Sequence, residues 1–97
     1  MTITELVQEA LQHNSKVVVF AARGTGKSYS ARELRMRLSE DALVVDDAEI
    51  RRTDGEYEHL LDAAINCEVD IVLLGTPVGY YSSDTFDDTW TKLTITP

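Results

Sequence analysis

The chain has 97 residues, 43% of them hydrophobic, and a net charge of −8. That length suits one domain with one core spanning residues 1–97. So acidic a balance argues against direct nucleic-acid binding by the isolated chain, because phosphate neutralisation drives such binding. The single cysteine, Cys67, excludes an internal disulfide, and its apolar helix-end setting points to a small buried hydrophobe. The longest apolar run, Val17 to Ala22, is far too short for a membrane span, and no secretory leader is read. The expectation is a soluble cytoplasmic protein without membrane partners.

In chain order, residues 2–13 read as a helix. Ile3, Leu6, Val7, Ala10 and Leu11 form one apolar stripe, and Thr2 and Glu5 have capping-box spacing. Lys16 to Ala22 reads as a strand whose unbroken apolar run implies burial on both faces, as in a parallel sheet. A second helix runs from Lys27 to about Ser39, with Ala31, Leu34 and Leu38 facing inward. Ala42 to Asp46 is a short second strand. Gly55 to Asn66 is a third helix with Tyr57, Leu60, Leu61, Ala64 and Ile65 on its stripe. Asp70 to Gly75 is a third strand. Residues 76–89 lack periodicity, which marks a functional or mobile segment. Trp90 to Thr96 alternates, with Leu93 and Ile95 on one face, as an edge strand does. Strands separated by helices predict an α/β fold with a small, mainly parallel sheet of three to four strands, flanked by helices in three layers.

The most informative segment is Ala21-Ala-Arg-Gly-Thr-Gly-Lys-Ser28, which leaves the first strand and opens the second helix. It is a phosphate-binding loop, or Walker A pattern, with Ala21 in place of the usual first glycine. Gly24 and Gly26 permit backbone angles closed to other residues, so the chain can curl around an anion. The curled N–H groups and the helix start form an anion-binding nest. Lys27 is expected to reach the β- and γ-phosphates and to carry no packing load, while Ser28 places a hydroxyl on Mg²⁺. The nucleotide, ATP by expectation, would be held by Ala22, Arg23, Gly24, Thr25, Gly26, Lys27, Ser28 and Tyr29.

Two further strand ends carry polar groups. Ala42-Leu-Val-Val-Asp46-Asp47 has a Walker B pattern, in which the strand delivers a carboxylate to Mg²⁺. Asp46 is the metal candidate. Asp47 falls where many hydrolases carry a glutamate that polarises the attacking water, and it is one methylene shorter. Asp70-Ile-Val-Leu-Leu-Gly-Thr-Pro ends a parallel strand on the ligand-binding edge, so Thr76 is the candidate donor to a γ-phosphate or its water. The expected catalytic set is Lys27, Asp47 and Thr76; the expected metal set is Ser28 and Asp46. The basic residues Arg23, Lys27, Arg32, Arg35, Arg37, Arg51 and Arg52 read better as a solvated face than as a nucleic-acid patch. Arg51 and Arg52 would cap or solvate the loop before Gly55.

The three segments in this order resemble the P-loop ATPase domain of phage large terminases and related RecA-like motors, over roughly residues 16–81. The resemblance implies a Mg-ATP site in which these are Walker A, Walker B and the coupling motif. It also implies a protein partner or a homo-oligomer. The chain departs from the family by lacking a strand and helix between Walker A and Walker B. If the missing strand is the outer one, the three motif-bearing strands still lie side by side. With no nuclease domain and no later helicase motifs in 97 residues, the resemblance implies a miniature relative, a subunit or a decoy of such a motor.

Three readings stay open. The first is a Mg-nucleotide-binding protein with weak ATPase activity, acting with a partner or as an oligomer. The second is a truncated small-molecule or nucleotide kinase, since Gly-Thr-Gly-Lys-Ser followed by Val-Val-Asp-Asp-Ala-Glu-Ile-Arg also resembles the start of the shikimate-kinase type. The third is a non-catalytic acidic interaction module on a P-loop fold.

Overall fold

The computed structural model describes residues 2–51, 55–79 and 81–96. Its elements are α1 (Ile3–Leu11), β1 (Lys16–Ala21), α2 (Lys27–Arg37), β2 (Leu43–Val45), α3 (Ala48–Arg51), α4 (Gly55–Asn66), β3 (Ile71–Gly75), a 3₁₀ turn (Ser83–Thr85) and β4 (Thr91–Ile95). The capping box forms as expected. Thr2 Oγ1 accepts from Glu5 N–H at 3.1 Å, and Glu5 Oε1 accepts from Thr2 N–H at 3.0 Å. The one-turn α3 was not legible in the sequence.

The sheet is four-stranded and all-parallel, in the order β2-β3-β1-β4. The chain leaves β1 through α2 and passes over one place to β2. It then returns through α4 to fill that place with β3, and crosses β1 to end at β4. The three motif-bearing strands therefore lie side by side, with β2 outermost. Because they are parallel, their carboxyl ends share one edge. Phe20 pairs with Gly75, so the loop at Ala22 and the segment at Thr76 leave the sheet next to each other.

Alternation along β1 builds a core on each face. Val17, Val19 and Ala21 pack with Ile3, Val7, Ala31 and Leu34, under α1 and α2. Leu93 and Ile95 of β4 join this face, as their alternation predicts. Val18 and Phe20 pack on the opposite face with Tyr57, Ala64, Leu73, Tyr81 and Phe86. Every residue from Val17 to Ala21 is buried, which is why the run carries no polar residue. The two covering helices are also tied by polar contacts. Glu33 Oε1 accepts from Thr4 Oγ1 at 2.9 Å, and Arg37 bonds both Gln8 and Glu33. Arg35 donates to the Val44 carbonyl at 3.1 Å on the outer strand.

Several expectations change. Residues 76–89 are mostly exposed, but two of them, Tyr81 and Phe86, are anchored in the core. Val78 and Tyr81 form an antiparallel bridge, Tyr81 is fully buried, and its hydroxyl donates to Val19 O at 2.9 Å. Phe20, Tyr81, Phe86 and Trp90 form a chain of tilted and edge-on ring contacts at 5.0–5.9 Å, the geometry that aromatic quadrupoles favour. Leu60 and Ile65 are exposed, because α4 turns Tyr57, Leu61 and Ala64 to the sheet instead. Cys67 is exposed as well, lying one residue beyond the end of α4 and outside either core. Arg51 closes α3 and is exposed; Arg52 lies outside the described residues.

Candidate functional site

Connections leave adjacent β1 and β3 in opposite directions: β1 leads toward β2, whereas β3 leads across β1 to β4. The crevice between their carboxyl ends is the topological switch point, where open parallel sheets bind ligands. A cleft of about 330 Å³ lies there, walled by the loop and start of α2, by Asp47 and Glu49 after β2, and by Thr76 after β3.

The loop takes the shape its glycines allow. Gly24 and Gly26 have φ of +81° and +92°, in the left-handed region, with nothing within 4 Å of a Cβ built at either position. Backbone conformation rather than crowding therefore explains these two glycines. Gly26 is the N-cap of α2 and offers no side-chain cap, and no acidic residue occupies the first turn. The helix start therefore has no cap or acid of its own, and the acid facing its first turn is Asp46, which Ser28 bonds. Thr25 Oγ1 braces the loop on Ala22 O at 2.7 Å. Lys27 differs from expectation, for its Nζ donates to Ala21 O and Ala22 O, both at 2.8 Å. It therefore ties the end of β1 to the loop and carries a structural share.

Ser28 follows β1 and Asp46 follows β2, two strands separated by β3 in the sheet. Because α2 crosses over β3 to reach β2, they meet: Ser28 Oγ donates to Asp46 Oδ2 at 2.9 Å. The other oxygen of Asp46 accepts from Asp47 N–H at 2.9 Å. Among the described residues no three His, Cys, Asp or Glu side chains cluster as a metal cage. One carboxylate and one hydroxyl is the sparse oxygen set that suits Mg²⁺ bound together with phosphates and water.

Asp47, the expected catalytic acid, lines the cleft at a sharp turn. Its φ of +54° turns the chain sharply, its carbonyl accepts from Ile50 and Arg51 N–H groups to start α3, and the residue is exposed. Two residues on, Glu49 is the carboxylate that sequence reasoning missed. It is only 7% exposed, and its Oε2 accepts from Thr76 N–H at 3.2 Å. Its Oε1 is buried without a hydrogen-bond partner among the described residues. A buried acceptor without a donor costs about 1–3 kcal/mol, and burying a charge costs several more. The sequence held one signal for this residue, Gly75. A Cβ there would stand 2.9 Å from Glu49 Oε1 and 2.7 Å from Tyr81 Cε1, so Gly75 makes the room that both side chains occupy. Of the remaining expected residues, Arg23 and Tyr29 line the cleft mouth, and Ala22 and Thr25 serve as an internal brace.

Compared with known protein families, curated proteins and solved structures, the chain matches none.

Proposed function

We propose that the chain is a minimal P-loop protein that binds a Mg-nucleoside triphosphate, ATP in the first instance, and hydrolyses it slowly, acting with a partner or as an oligomer. The observation that carries this reading is the Ser28–Asp46 contact, which joins the helix after the glycine loop to the end of β2. Two neighbouring ligands on a Mg²⁺ ion, each about 2.0–2.1 Å from it, stand about 2.9 Å apart. The hydroxyl and carboxylate already have that separation. When bound, the ion would neutralise phosphate charge beside Lys27.

The chain's own groups account for the rest. The open N–H groups at the start of α2 would receive the phosphates. Lys27 would exchange two loop carbonyls for phosphate oxygens. The low rate follows from the walls of the cleft: Tyr29 and Ile50 are 63% and 64% exposed, so water reaches the site and weakens electrostatic stabilisation of the transition state.

A thermal-shift titration tests this. MgATP at a hundred times its dissociation constant should add about 2.7 kcal/mol, roughly 10–20 °C at about 4–8 °C per kcal/mol. No shift up to millimolar MgATP would rule the reading out. One observation favours a second reading, phosphoryl transfer to a small acceptor. A groove of about 360 Å³ shares Asp47 with the cleft and carries Asp46, Arg35 and Arg51. Acceptor-dependent ADP formation would single it out.

A further inference from the structure

We propose that β4 is the surface on which two copies of this chain associate, its edge pairing antiparallel with the same edge of the second copy about a two-fold axis at Leu93. This stands apart from the nucleotide reading, because no residue of β4 lines the cleft. The sheet has two edges, β2 and β4, and an unpaired edge is a template for another strand. The two edges are built differently.

In a parallel ladder the amide and carbonyl of one residue point to the same side, and neighbours alternate. Leu43 N–H bonds Asp70 O on the β3 side, so Val44 faces outward on β2. Its carbonyl is already taken by Arg35 at 3.1 Å, and the strand has only three residues. With a two-fold axis at Val44, Asp41 of each copy would stand opposite Asp47 of the other, and like charges across strands repel. The β2 edge is therefore guarded against a second copy.

The β4 edge has five residues and none of these guards. Ile71 N–H bonds Ser15 O, which turns Val17 and Val19 toward β3, and Val18 and Phe20 toward β4. Through the register of β1 with β4, Thr91, Leu93 and Ile95 then face β1, and Lys92 and Thr94 face outward. Among the described residues none bonds the outward amide or carbonyl of Lys92 or Thr94. This edge is self-complementary, as a two-fold interface requires. With the axis at Leu93, Lys92 of each copy exchanges two hydrogen bonds with Thr94 of the other, and the two Leu93 residues face each other. Lys92 is the one charge in residues 90–96, and it faces the uncharged Thr94.

The pairing also covers apolar surface. Leu93 and Ile95 are only half-buried, as are Ala10 and Leu11 of α1, which packs beside β4 on the same face. A two-fold axis normal to the sheet keeps that face common to both copies, so the two strips lie side by side. The net charge of −8 on each chain opposes approach at long range, but salt screens it beyond about 8 Å at physiological strength. The two clefts open at opposite ends of the joined sheet and stay accessible.

Sedimentation equilibrium of the full chain tests this, with Cys67→Ser as the background to exclude a disulfide through that exposed thiol. The protein should sediment as a pair of chains when concentrated and as single chains on dilution. Thr94→Lys opposes a like charge to Lys92 of the second copy at both pairs and should raise the dissociation constant about tenfold. Thr94→Glu supplies the opposite charge and should keep or lower it. Thr94→Pro removes an outward donor that the β1 ladder does not use, and should separate the copies. Facing residues at the axis stand about 4.5 Å apart between Cα atoms, within the span of a disulfide. Leu93→Cys should therefore cross-link two chains on mild oxidation, and Ile95→Cys should not. Single chains at every concentration up to millimolar overturn the proposal. So does a pair that survives both Thr94→Lys and Thr94→Pro, a loss as great with Thr94→Glu as with Thr94→Lys, or cross-linking through Ile95→Cys in preference to Leu93→Cys.

Discussion

Two irregular segments of this small domain, the loop at 22–26 and the stretch at 76–90, are held in place by opposite means. The first is a strip of backbone whose shape comes from two left-handed glycines, a threonine brace and a lysine folded onto carbonyls. Its surface is polar and open. The second is held by side chains: Tyr81 and Phe86 enter the core, and Trp90 and Phe20 complete a row of rings. Through these rings the stretch at 76–90 covers β1 on the face opposite α1 and α2. A segment without periodicity can therefore be part of the core when its few large side chains reach the same place. A segment with strong local chemistry can stay at the surface because its own side chains brace its backbone there.

Substitutions sharpen that contrast. The largest effect is expected at Tyr81. Replacing it with alanine removes a fully buried ring and the hydrogen bond to Val19 O, and should cost about 3–5 kcal/mol by analogy with other large aromatic truncations. That is a large share of the roughly 5–15 kcal/mol that holds a domain folded. Urea unfolding would read it directly, and a loss below about 1 kcal/mol would show that the stretch at 76–90 is not part of the core.

An intermediate effect is expected in the loop. Lys27→Ala leaves two partly buried carbonyls without their donor and should cost about 1 kcal/mol in the ligand-free protein, or roughly 4–8 °C. The same change should remove most of the MgATP shift. If the melting point of the ligand-free protein does not move, the lysine is not a brace; if it falls as far as with Tyr81→Ala, the loop is core-like and the comparison fails.

The smallest effects are expected at two exposed carboxylates. Glu5 is held below its ordinary 4.5, chiefly by the Thr2 backbone N–H in the helix cap. Asp87 is held below its ordinary 3.8, first by the Thr89 hydroxyl and then by its backbone N–H. A depressed folded value means that each contributes stability above its ordinary value and loses it as the pH falls through the depressed one. The small stability differences between wild type and Glu5→Gln or Asp87→Asn should thus be present at pH 6 and fade below about pH 4. Differences that grow on acidification would contradict these hydrogen bonds. The Asp87 variant also separates the polar rim of the 76–90 stretch from its aromatic interior, since Tyr81→Ala should matter far more.

What local chemistry could determine was present in the sequence. The cap at Thr2, the glycine loop and the alternation of β4 each depend on residues close together in the chain, acting through backbone angles or side-chain period. The order of motifs also placed three strand ends on one edge, because parallel strands must share direction. Long-range contacts decided the rest. Leu60, Ile65 and Cys67 looked like core residues, yet α4 turns Tyr57, Leu61 and Ala64 to the sheet and leaves these three outside both cores. The 76–90 stretch looked structureless because its anchors, Phe20 and Val19, lie some sixty residues earlier. Asp47 looked like the catalytic acid because it follows Asp46. Both Asp47 and Glu49 line the cleft, and only the left-handed turn at Asp47 and the space left by Gly75 give Glu49 its buried place. Spacing along a chain specifies which backbone shapes are allowed; which side chain fills a given space depends on neighbours that only folding brings together.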